Sequence, residues 1–477
     1  MNTGPTDVNV AFFPPLHQQR RIWVLDTLRR EGVSEIVDIG CGEGELLTTL
    51  CQPAPWLGPQ SQWRNRSLAS TQNADDCLAS MFDDVLLNDS ESRDLHPTRI
   101  AGLDIDTGVL QYAAEDTSPS SANPQYTRWE PLQVSLWHGS LDSINPTFVD
   151  VECIVASEVI EHLTDDLVHH FAPVLLGVYH PRILLMTTPS YTFNARFSPP
   201  GMRDPMGHPD PTGHTDRVFR HADHKFEWTV EEFASWCATV SKEWGYTVEV
   251  ASIGYALDKD PWGRDKQLGG ASQVAAFKRM DDVNSRRKRE RRIRTAYAAL
   301  EKKEPHRLVV THHFTAHPQA GRPHQLEELG AALLRTFEGW GENVLRVEDL
   351  WFSDDIAVLC GGSVELLIEM AERDSQLCLR RIAGERKGNW TIELLGGVQR
   401  RKDNWSAAPM SQDEEAVVGE VSMDEDQERE FSMNPGISTN AWPNSETDTW
   451  MEDNSWAGSW VDEGGGWGRA TPEPVLS

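Results

Sequence analysis

Apolar positions follow two alternating patterns over the first 280 residues. Four short apolar runs have the length of buried strands: 34–40, 99–104, 150–156 and 182–187. The segments 20–30 and 45–50 instead carry apolar side chains at helical intervals, and 231–237 and 246–253 continue the alternation. Strands that alternate with helices predict an α/β fold built on a doubly wound, Rossmann-like parallel sheet.

Residues 304–398 repeat this alternation on a smaller scale. Short strands are expected at 307–314, 344–347, 356–361, 377–382 and 390–395, around helices at 325–337 and 364–372. The pattern predicts a small second α/β domain at 304–398, joined to the first domain at 1–280 by a basic helical linker at 281–303. The basic run 286–294 in this linker fits a nuclear-import signal or an RNA-binding patch as well as a solvated helix face.

Two segments lack apolar periodicity and are therefore not expected to fold with either domain. Residues 52–97 are rich in Ser, Asn, Asp, Pro and Gln and predict a disordered insertion, and 399–477 predict a disordered acidic tail. The net charge of −30 argues against unspecific binding to polyanions, although five basic residues and four histidines gather in 196–225. Seven cysteines without a C-x-x-C pair, and no long apolar run, favour an intracellular protein, cytoplasmic with a nuclear alternative.

The first apolar run leads into a glycine-rich turn, DIGCGEG at 38–44. Its spacing is tighter than the G-x-G-x-x-G turn that receives a pyrophosphate, so it fits a cofactor without phosphate. A methionyl-sulfonium cofactor needs close backbone approach here and an acid at the end of the next strand for its ribose hydroxyls. The candidate cofactor-binding residues are therefore Asp38, Gly40, Gly42, Asp104 and, after the third strand, Ser140. An ordinary tight turn is the alternative interpretation.

A second group of residues has the chemistry of metal ligands. Glu158, Glu161 and His162 stand at helical spacing i, i+3, i+4 directly after a predicted strand, and His224 offers a fourth ligand. This mixture of oxygen and nitrogen suits Mg²⁺ or Mn²⁺, and two open positions would match the vicinal diol at the 3′ end of RNA. His162 or His221 could take the proton released from a hydroxyl. The alternative is the polar end of a surface helix.

Six sequence blocks carry a family resemblance: FPPL and QR within 13–20, VDIGCGEGELL at 37–47, SEVIEHL at 157–163, TPSYTFN at 188–194, DHKFEWT at 223–229 and ASQVAAF at 271–277. Together they span just over half the chain, which resembles the Hen-type (Hua Enhancer) small-RNA 3′-terminal 2′-O-methyltransferases. The glycine block is general to methyltransferases, whereas E-x-x-E-H combined with DHKFEW is specific to this family.

The resemblance implies a class I methyltransferase sheet and methyl transfer from S-adenosyl-L-methionine to the terminal 2′-hydroxyl of a small RNA in gene silencing. It also implies a divalent ion held by Glu158, Glu161, His162 and His224. Members that act on duplexes carry RNA-binding modules ahead of the catalytic domain, and about thirty residues precede the first strand here. Single-stranded RNA is therefore the expected substrate. The insertion and the chain after residue 280 depart from the family pattern.

The acidic tail adds one further expectation. Trp456, Trp460 and Trp467 stand beside glycine or serine and look like the Gly-Trp hook peptides that insert into pockets of Argonaute proteins. Compositional drift is the alternative. Two competing functions remain at this stage: a Rossmann methyltransferase that acts on another substrate, and a scaffold that binds Argonaute while its catalytic domain is inactive.

Overall fold

The computed structural model describes residues 10–58, 94–121, 127–202, 204, 206–300, 304–353, 355–382 and 384–398. Its strands, numbered in chain order, are β1 Glu35–Ile39, β2 Arg99–Asp104, β3 Leu132–His138, β4 Cys153–Ser157, β5 Ile183–Pro189, β6 His208–Pro209, β7 Val218–Phe219, β8 Tyr246–Ile253, β9 Ser272–Arg279, β10 Arg307–Phe314, β11 Val344–Arg346, β12 Leu377–Arg380 and β13 Thr391–Leu394. They form an eight-stranded sheet, a three-stranded sheet and a two-stranded ribbon.

Helices lie between most of these strands. They are α1 Leu16–Glu31, α2 Glu45–Leu50, α3 Thr107–Asp116, α4 Asp165–Ala172, α5 Tyr191–Asn194, α6 Val230–Trp244, α7 Asp265–Leu268, α8 Val283–Leu300, α9 Leu326–Trp340, α10 Val347–Trp351, α11 Ile356–Leu359 and α12 Val364–Arg373. Helix α4 continues as a π-helix over Pro173–Tyr179, and 3₁₀ turns cover Pro119–Ser121, Pro146–Phe148, Ile160–His162, Ala195–Phe197 and Lys387–Asn389. None of the helices in the described ranges is long and apolar enough to cross a membrane.

The large sheet has the strand order β10-β3-β2-β1-β4-β5-β9-β8. Its five central strands, β3, β2, β1, β4 and β5, run parallel. The chain adds β2 and β3 on one side of β1 and then β4 and β5 on the other side, so the strand order reverses between β1 and β4. In open α/β sheets, ligands bind beyond the carboxyl ends of the strands at such a reversal. The topology therefore places the glycine turn after β1 and the acidic segment after β4 at one edge.

Both faces of the central strands are buried. On β1, Val37 and Ile39 join an apolar cluster with the π-helix and α6, whereas Ile36 joins a second cluster with α1, α2 and α3. Because both faces are covered by helices, the strand reads as a nearly continuous apolar run rather than an alternating one. This burial confirms the doubly wound α/β prediction.

The sheet is mixed, and not wholly parallel as expected. Strands β9 and β8 pair antiparallel beyond β5, and β10 pairs antiparallel with β3 at the other edge. The assignment of β10 to a second domain is wrong, because its register runs from Arg307 opposite His138 to Phe314 opposite Leu132. Strand periodicity reports which residues are buried and does not name the partner strand.

The remaining residues of 304–398 build a small layer with its own apolar cluster. The three-stranded sheet β11-β13-β12 lies with α9, α10 and α12 in this cluster, to which Leu57 and Trp129 also belong. These residues and the large sheet form one compact unit. One expected strand is a helix: 356–361 forms α11 and then turns at Gly361, whose φ is +58°.

The basic run 286–294 lies on helix α8, as the linker prediction requires. One of its members is not solvated, since Arg289 is buried and donates to the backbone oxygens of Gly245 and Met280. The run is therefore in part a packing element.

The predicted disorder of 52–97 is wrong at both ends of the segment, because 52–58 and 94–97 are ordered, with Leu57 buried and the Pro55 backbone oxygen accepting from Trp129. Residues 59–93 and the tail 399–477, with Trp456, Trp460 and Trp467, fall outside the described residues.

Candidate active site

The turn after β1 approaches the segment after β4 closely. Gly40 has φ +70°, and a β-carbon built on it would lie 2.7 Å from Cγ2 of Val159. Its neighbour Gly42 has φ +54° and open space around the missing β-carbon. Both conformations favour glycine, and at Gly40 the close packing excludes a side chain as well.

Asp104, at the end of β2, holds this turn in place. Its Oδ2 accepts from the backbone N–H of Gly42 at 2.9 Å, and its Oδ1 accepts from the backbone N–H of Asp106 at 2.9 Å. Burial raises the pKa of Asp104 against the lowering effect of these hydrogen bonds. Burial, followed by the charge of Asp104, raises the pKa of Asp38 to about 8. Two adjacent carboxyls therefore lie at the end of the central strands.

Ser140 lies at the same edge, in the loop after β3. The backbone N–H of Gly139 donates to the backbone oxygen of Asp104 at 3.0 Å, which ties this loop to the end of β2. The structure thus brings all five candidate cofactor residues to the carboxyl edge of three neighbouring strands.

The segment that carries Glu158 is not the α-helix that its spacing predicts. Glu158 has φ +53°, and a single 3₁₀ turn begins only at Ile160. The Glu158 carboxylate lies 2.9 Å from the Arg20 guanidinium and accepts from Thr187 Oγ1 at 2.7 Å. The spacing of the motif could not predict these contacts. The left-handed backbone at Glu158 prevents a helix from including this residue, so its side chain does not follow the helical spacing.

Glu161, His162 and His224 form the cluster of ligand atoms in the described part of the chain. One potential ligand atom from each lies within 4.8 Å of the others. The Glu161 side chain is fully buried, and its Oε2 accepts from Thr188 Oγ1 at 3.0 Å. The backbone N–H of Lys225 donates to the backbone oxygen of Glu161 at 2.7 Å, which holds the His224 segment against the 3₁₀ turn.

The electrostatics of this cluster fit a cation. Glu161 Oε1 and His162 Nδ1 are buried without a hydrogen-bond partner, and such groups need an explanation in a folded protein. Burial, followed by the charge of Glu158, raises the pKa of Glu161 well above its usual range. Burial, then His224 and His221, lowers the pKa of His162 to about 4, so its ring is neutral at pH 7 and available as a ligand.

His224 is oriented by residues that the sequence analysis did not single out. Its Nδ1 lies 2.6 Å from Glu227 Oε1, and Glu227 Oε2 accepts from Asn194 Nδ2 at 2.5 Å. A carboxylate on one imidazole nitrogen fixes the tautomer and presents the other nitrogen to a metal. Both residues lie inside the TPSYTFN and DHKFEWT blocks, so the signal was present, although their pairing depends on the fold.

His221 stands beside the cluster and is exposed. Its ring stacks on that of His224 with centroids 5.1 Å apart, and lies 6.1 Å from the ring of His162. Burial, followed by His224, lowers the pKa of His221. The lowered pKa favours the neutral ring, and solvent can reach it.

The basic residues of 196–225 are mostly neutralised by carboxylates. Arg196 is buried 3.4 Å from Asp260, and Arg217 lies 2.7 Å from Glu232. Arg220 pairs with Asp204, and Arg203 lies outside the described residues. The cationic surface expected here for a phosphate backbone is accordingly much reduced.

Sequence comparison finds relatives of this chain among enzymes of one name. The chain is 30% identical over 268 residues to a small RNA 2′-O-methyltransferase of Xenopus tropicalis, covering 56% of this chain and 56% of the relative. Proteins of the same name match from Arabidopsis thaliana, at 28% identity over 58% of this chain and 24% of the relative, and from Schizosaccharomyces pombe, at 27% over 52% and 55%. The chain thus spans about half or less of the length of these curated relatives. No family model matches it.

Solved structures give a weaker likeness. The crystal structure of the small RNA methyltransferase HEN1 has a TM-score of 0.41 at 23% identity, covering 64% of this chain and 28% of that one. The methyltransferase domain of bacterial CtHen1-C has a TM-score of 0.36 at 24% identity, covering 56% and 99%. The family resemblance predicted from the sequence blocks is confirmed by the curated relatives: over more than half its length, this chain is similar to small RNA 2′-O-methyltransferases.

Proposed function

We propose that this protein transfers a methyl group from S-adenosyl-L-methionine to the 2′-hydroxyl of the 3′-terminal nucleotide of a small RNA. The observation that carries the proposal is the contact between the glycine turn and the segment of the ion cluster. Gly40 packs on Val159, which lies between Glu158 and the 3₁₀ turn of Glu161 and His162. A methyl donor at the turn and a hydroxyl at the cluster would therefore be neighbours, as bond formation requires.

Each side of the site has a distinct role in this proposal. Asp104 accepts from the ribose hydroxyls of the cofactor, and Ser140 lies at its adenine end. Glu161, His162 and His224 would hold Mg²⁺ or Mn²⁺. Glu158, the fourth ligand expected from the sequence, contacts Arg20 and Thr187 instead. When bound, the ion would supply Lewis-acid chemistry at the terminal ribose. The imidazole of His221 accepts the proton from the 2′-hydroxyl. His162 does not fill this role while it ligates the ion, because its second ring nitrogen then carries a hydrogen.

The first test is methyl transfer from labelled S-adenosyl-L-methionine to short RNAs. The substrates are a single strand with a terminal 2′-hydroxyl, the same strand ending in 2′-deoxyribose, and a duplex with a terminal 2′-hydroxyl. The reactions are run with EDTA or with added Mg²⁺ or Mn²⁺. Labelling of only the single strand with a terminal 2′-hydroxyl, abolished by EDTA, is the expected result. Equal labelling of the duplex would contradict the single-stranded substrate. Equal labelling of the deoxy strand would contradict the terminal specificity, and labelling in EDTA would contradict the ion.

Activity on another substrate is the competing proposal. Periodate oxidation removes the vicinal diol from an RNA end and leaves other hydroxyls and amines intact. Loss of labelling after oxidation supports the terminal diol, whereas full labelling of oxidised RNA would favour a different acceptor.

The tail supports a second, separate proposal, that the protein binds an Argonaute-type protein and acts in RNA silencing in the cytoplasm or nucleus. Its basis is the sequence around Trp456, Trp460 and Trp467. Several weak aromatic contacts on one chain gain affinity through effective concentration. Binding of purified Argonaute to the full chain, and its loss when the three tryptophans are replaced by alanine, tests this. Methylation of free RNA should be unchanged by the replacement.

A further inference from the structure

The loop at the proposed adenine end of the cofactor site is held by residues from far along the chain. Ser143 Oγ donates to the backbone oxygen of Glu304 at 2.6 Å. Two residues later, the His306 ring lies 2.8 Å from the backbone oxygen of Ser140 through Nε2. The loop 139–143 is therefore fixed from outside the N-terminal domain expected at 1–280.

His306 fills the space beside this loop. It is 8% exposed, and a β-carbon on Gly139 would lie 2.3 Å from its Cδ2. A backbone oxygen can only accept, so His306 Nε2 carries the proton and donates it to Ser140. Burial lowers the pKa of His306, which agrees with a neutral ring whose Nδ1 is unprotonated. That Nδ1 is buried without a partner, so the ring has one hydrogen bond, and it goes to the loop.

The sheet sets the position of this ring. Strand β10 begins at the next residue, Arg307, which pairs with His138 at the last position of β3. The loop itself starts at Gly139, directly after β3. The antiparallel pairing therefore brings the chain before β10 and the chain after β3 to the same corner. Both sides of the contact continue directly into paired strands, His306 into β10 and Gly139 from β3.

We propose that His306 is a positioning residue for the cofactor, which holds the loop 139–143 in the shape that receives the adenine ring. The proposal rests on the proposed function, because Ser140 is assigned to the cofactor there. It adds a determinant of cofactor affinity from outside the blocks that carry the family resemblance. The donor that matters is Nε2, and the acceptor is the backbone oxygen of Ser140.

Three substitutions separate this hydrogen bond from mere filling of space. His306→Gln places a side-chain N–H near the position of Nε2, whereas His306→Asn places one near Nδ1 and His306→Ala removes both. The matched control is His312→Ala, on the strand β10 that follows His306, because His312 Nε2 also lies 3.0 Å from a backbone oxygen, that of Ala114. That bond does not involve the loop.

Two measurements on the full chain give the test. Calorimetric titration with S-adenosyl-L-methionine should show a Kd about 3- to 10-fold higher for His306→Ala and His306→Asn, the range of one hydrogen bond. His306→Gln and His312→Ala should bind like the native chain, and kcat at saturating cofactor should not change. Hydrogen exchange without cofactor should be faster across 139–143 in His306→Ala and unchanged in His312→Ala.

The possible results separate a failure of this proposal from a failure of the proposed function on which it rests. A native chain that does not bind S-adenosyl-L-methionine overturns both. Native binding with an unchanged Kd in His306→Ala overturns the positioning role alone. An equal rise of Kd in all four variants also overturns it, since the cause would then be general loosening of the fold. Slower turnover at saturating cofactor in His306→Ala, with unchanged Kd, would assign the residue to another step.

Discussion

The glycine turn and the cluster of Glu161, His162 and His224 lie side by side, and they differ in how their polar groups are satisfied. At the turn, the Asp104 carboxylate accepts from two backbone N–H groups of its own chain. In the cluster, Glu161 Oε1 and His162 Nδ1 are buried without any partner. The fold itself supplies hydrogen-bond donors to the carboxylate at the turn, whereas two buried polar atoms of the cluster have no hydrogen-bond partner within the described residues.

This difference suggests what each region needs from a ligand. A preformed turn needs only close approach, and it should keep its shape without cofactor. An ionised Glu161 buried beside the neutral ring of His162 would carry an unfavourable free energy, and a bound cation would remove it. The cluster should therefore respond strongly to metal, and the turn should not.

Replacement of His224 should have the largest effect. His224→Ala removes one of three clustered ligands and should lower metal-dependent methyl transfer by more than the roughly 100-fold that loss of a supporting residue causes. Titration with S-adenosyl-L-methionine should give a Kd close to the native value. Retention of metal-dependent activity would remove His224 from the ligand set, and loss of cofactor binding would show that the two regions are not independent.

Replacement of Glu227 should have a smaller effect on the same region. Glu227→Gln keeps the volume but exchanges the carboxylate that faces His224 Nδ1 for an amide, so the ring loses its fixed orientation. The Kd for Mn²⁺, read from the rise of the melting temperature with metal, should increase about 10- to 100-fold. Glu232→Gln is the matched control, since Glu232 pairs with Arg217 at the protein surface. An equal change in both variants would contradict the orienting role.

Replacement of Asp104 should affect only the turn. Asp104→Asn retains an acceptor for one backbone N–H and loses the charge offered to the ribose hydroxyls. The affinity for S-adenosyl-L-methionine should fall about tenfold, the smaller figure for a hydrogen bond to a charged group. Stabilisation by Mn²⁺ should stay at the native level. A loss of metal response would mean that the two regions share one polar network.

A pH series should give the smallest effect. The pKa of Asp38 is raised from 3.8 to about 8 by burial and by Asp104. The folded chain thus keeps a proton that the unfolded chain loses near 3.8, so this contribution to stability is complete below that pH and is lost as the pH rises through about 8. In urea titrations without cofactor between pH 5 and 8, the free energy of unfolding should fall more steeply in the native chain than in Asp38→Asn. The difference is at most about 1.4 kcal/mol per pH unit. Equal slopes would mean that Asp38 is charged in the folded state.

Local signals in the sequence determined much of this molecule. The apolar run at β1 is buried on both faces, and this marks a central strand. Helix α6 begins where Thr229 and Glu232 form a capping box and ends at Gly245, whose φ is +73°. The residue types at Glu161, His162 and His224 gave the chemistry of the cluster, because ligand type depends on the side chain alone.

Only the tertiary structure decided which of these residues meet. Glu158 shares its motif with Glu161, yet its left-handed backbone and its contacts with Arg20 and Thr187 direct it elsewhere. Strand β10 looks like part of a second domain, and its pairing with β3 brings His306 to the Ser140 loop. The physical reason is the same in both cases. Periodicity and spacing report the environment of each segment, whereas contacts between distant segments depend on register and backbone conformation, which no local pattern contains.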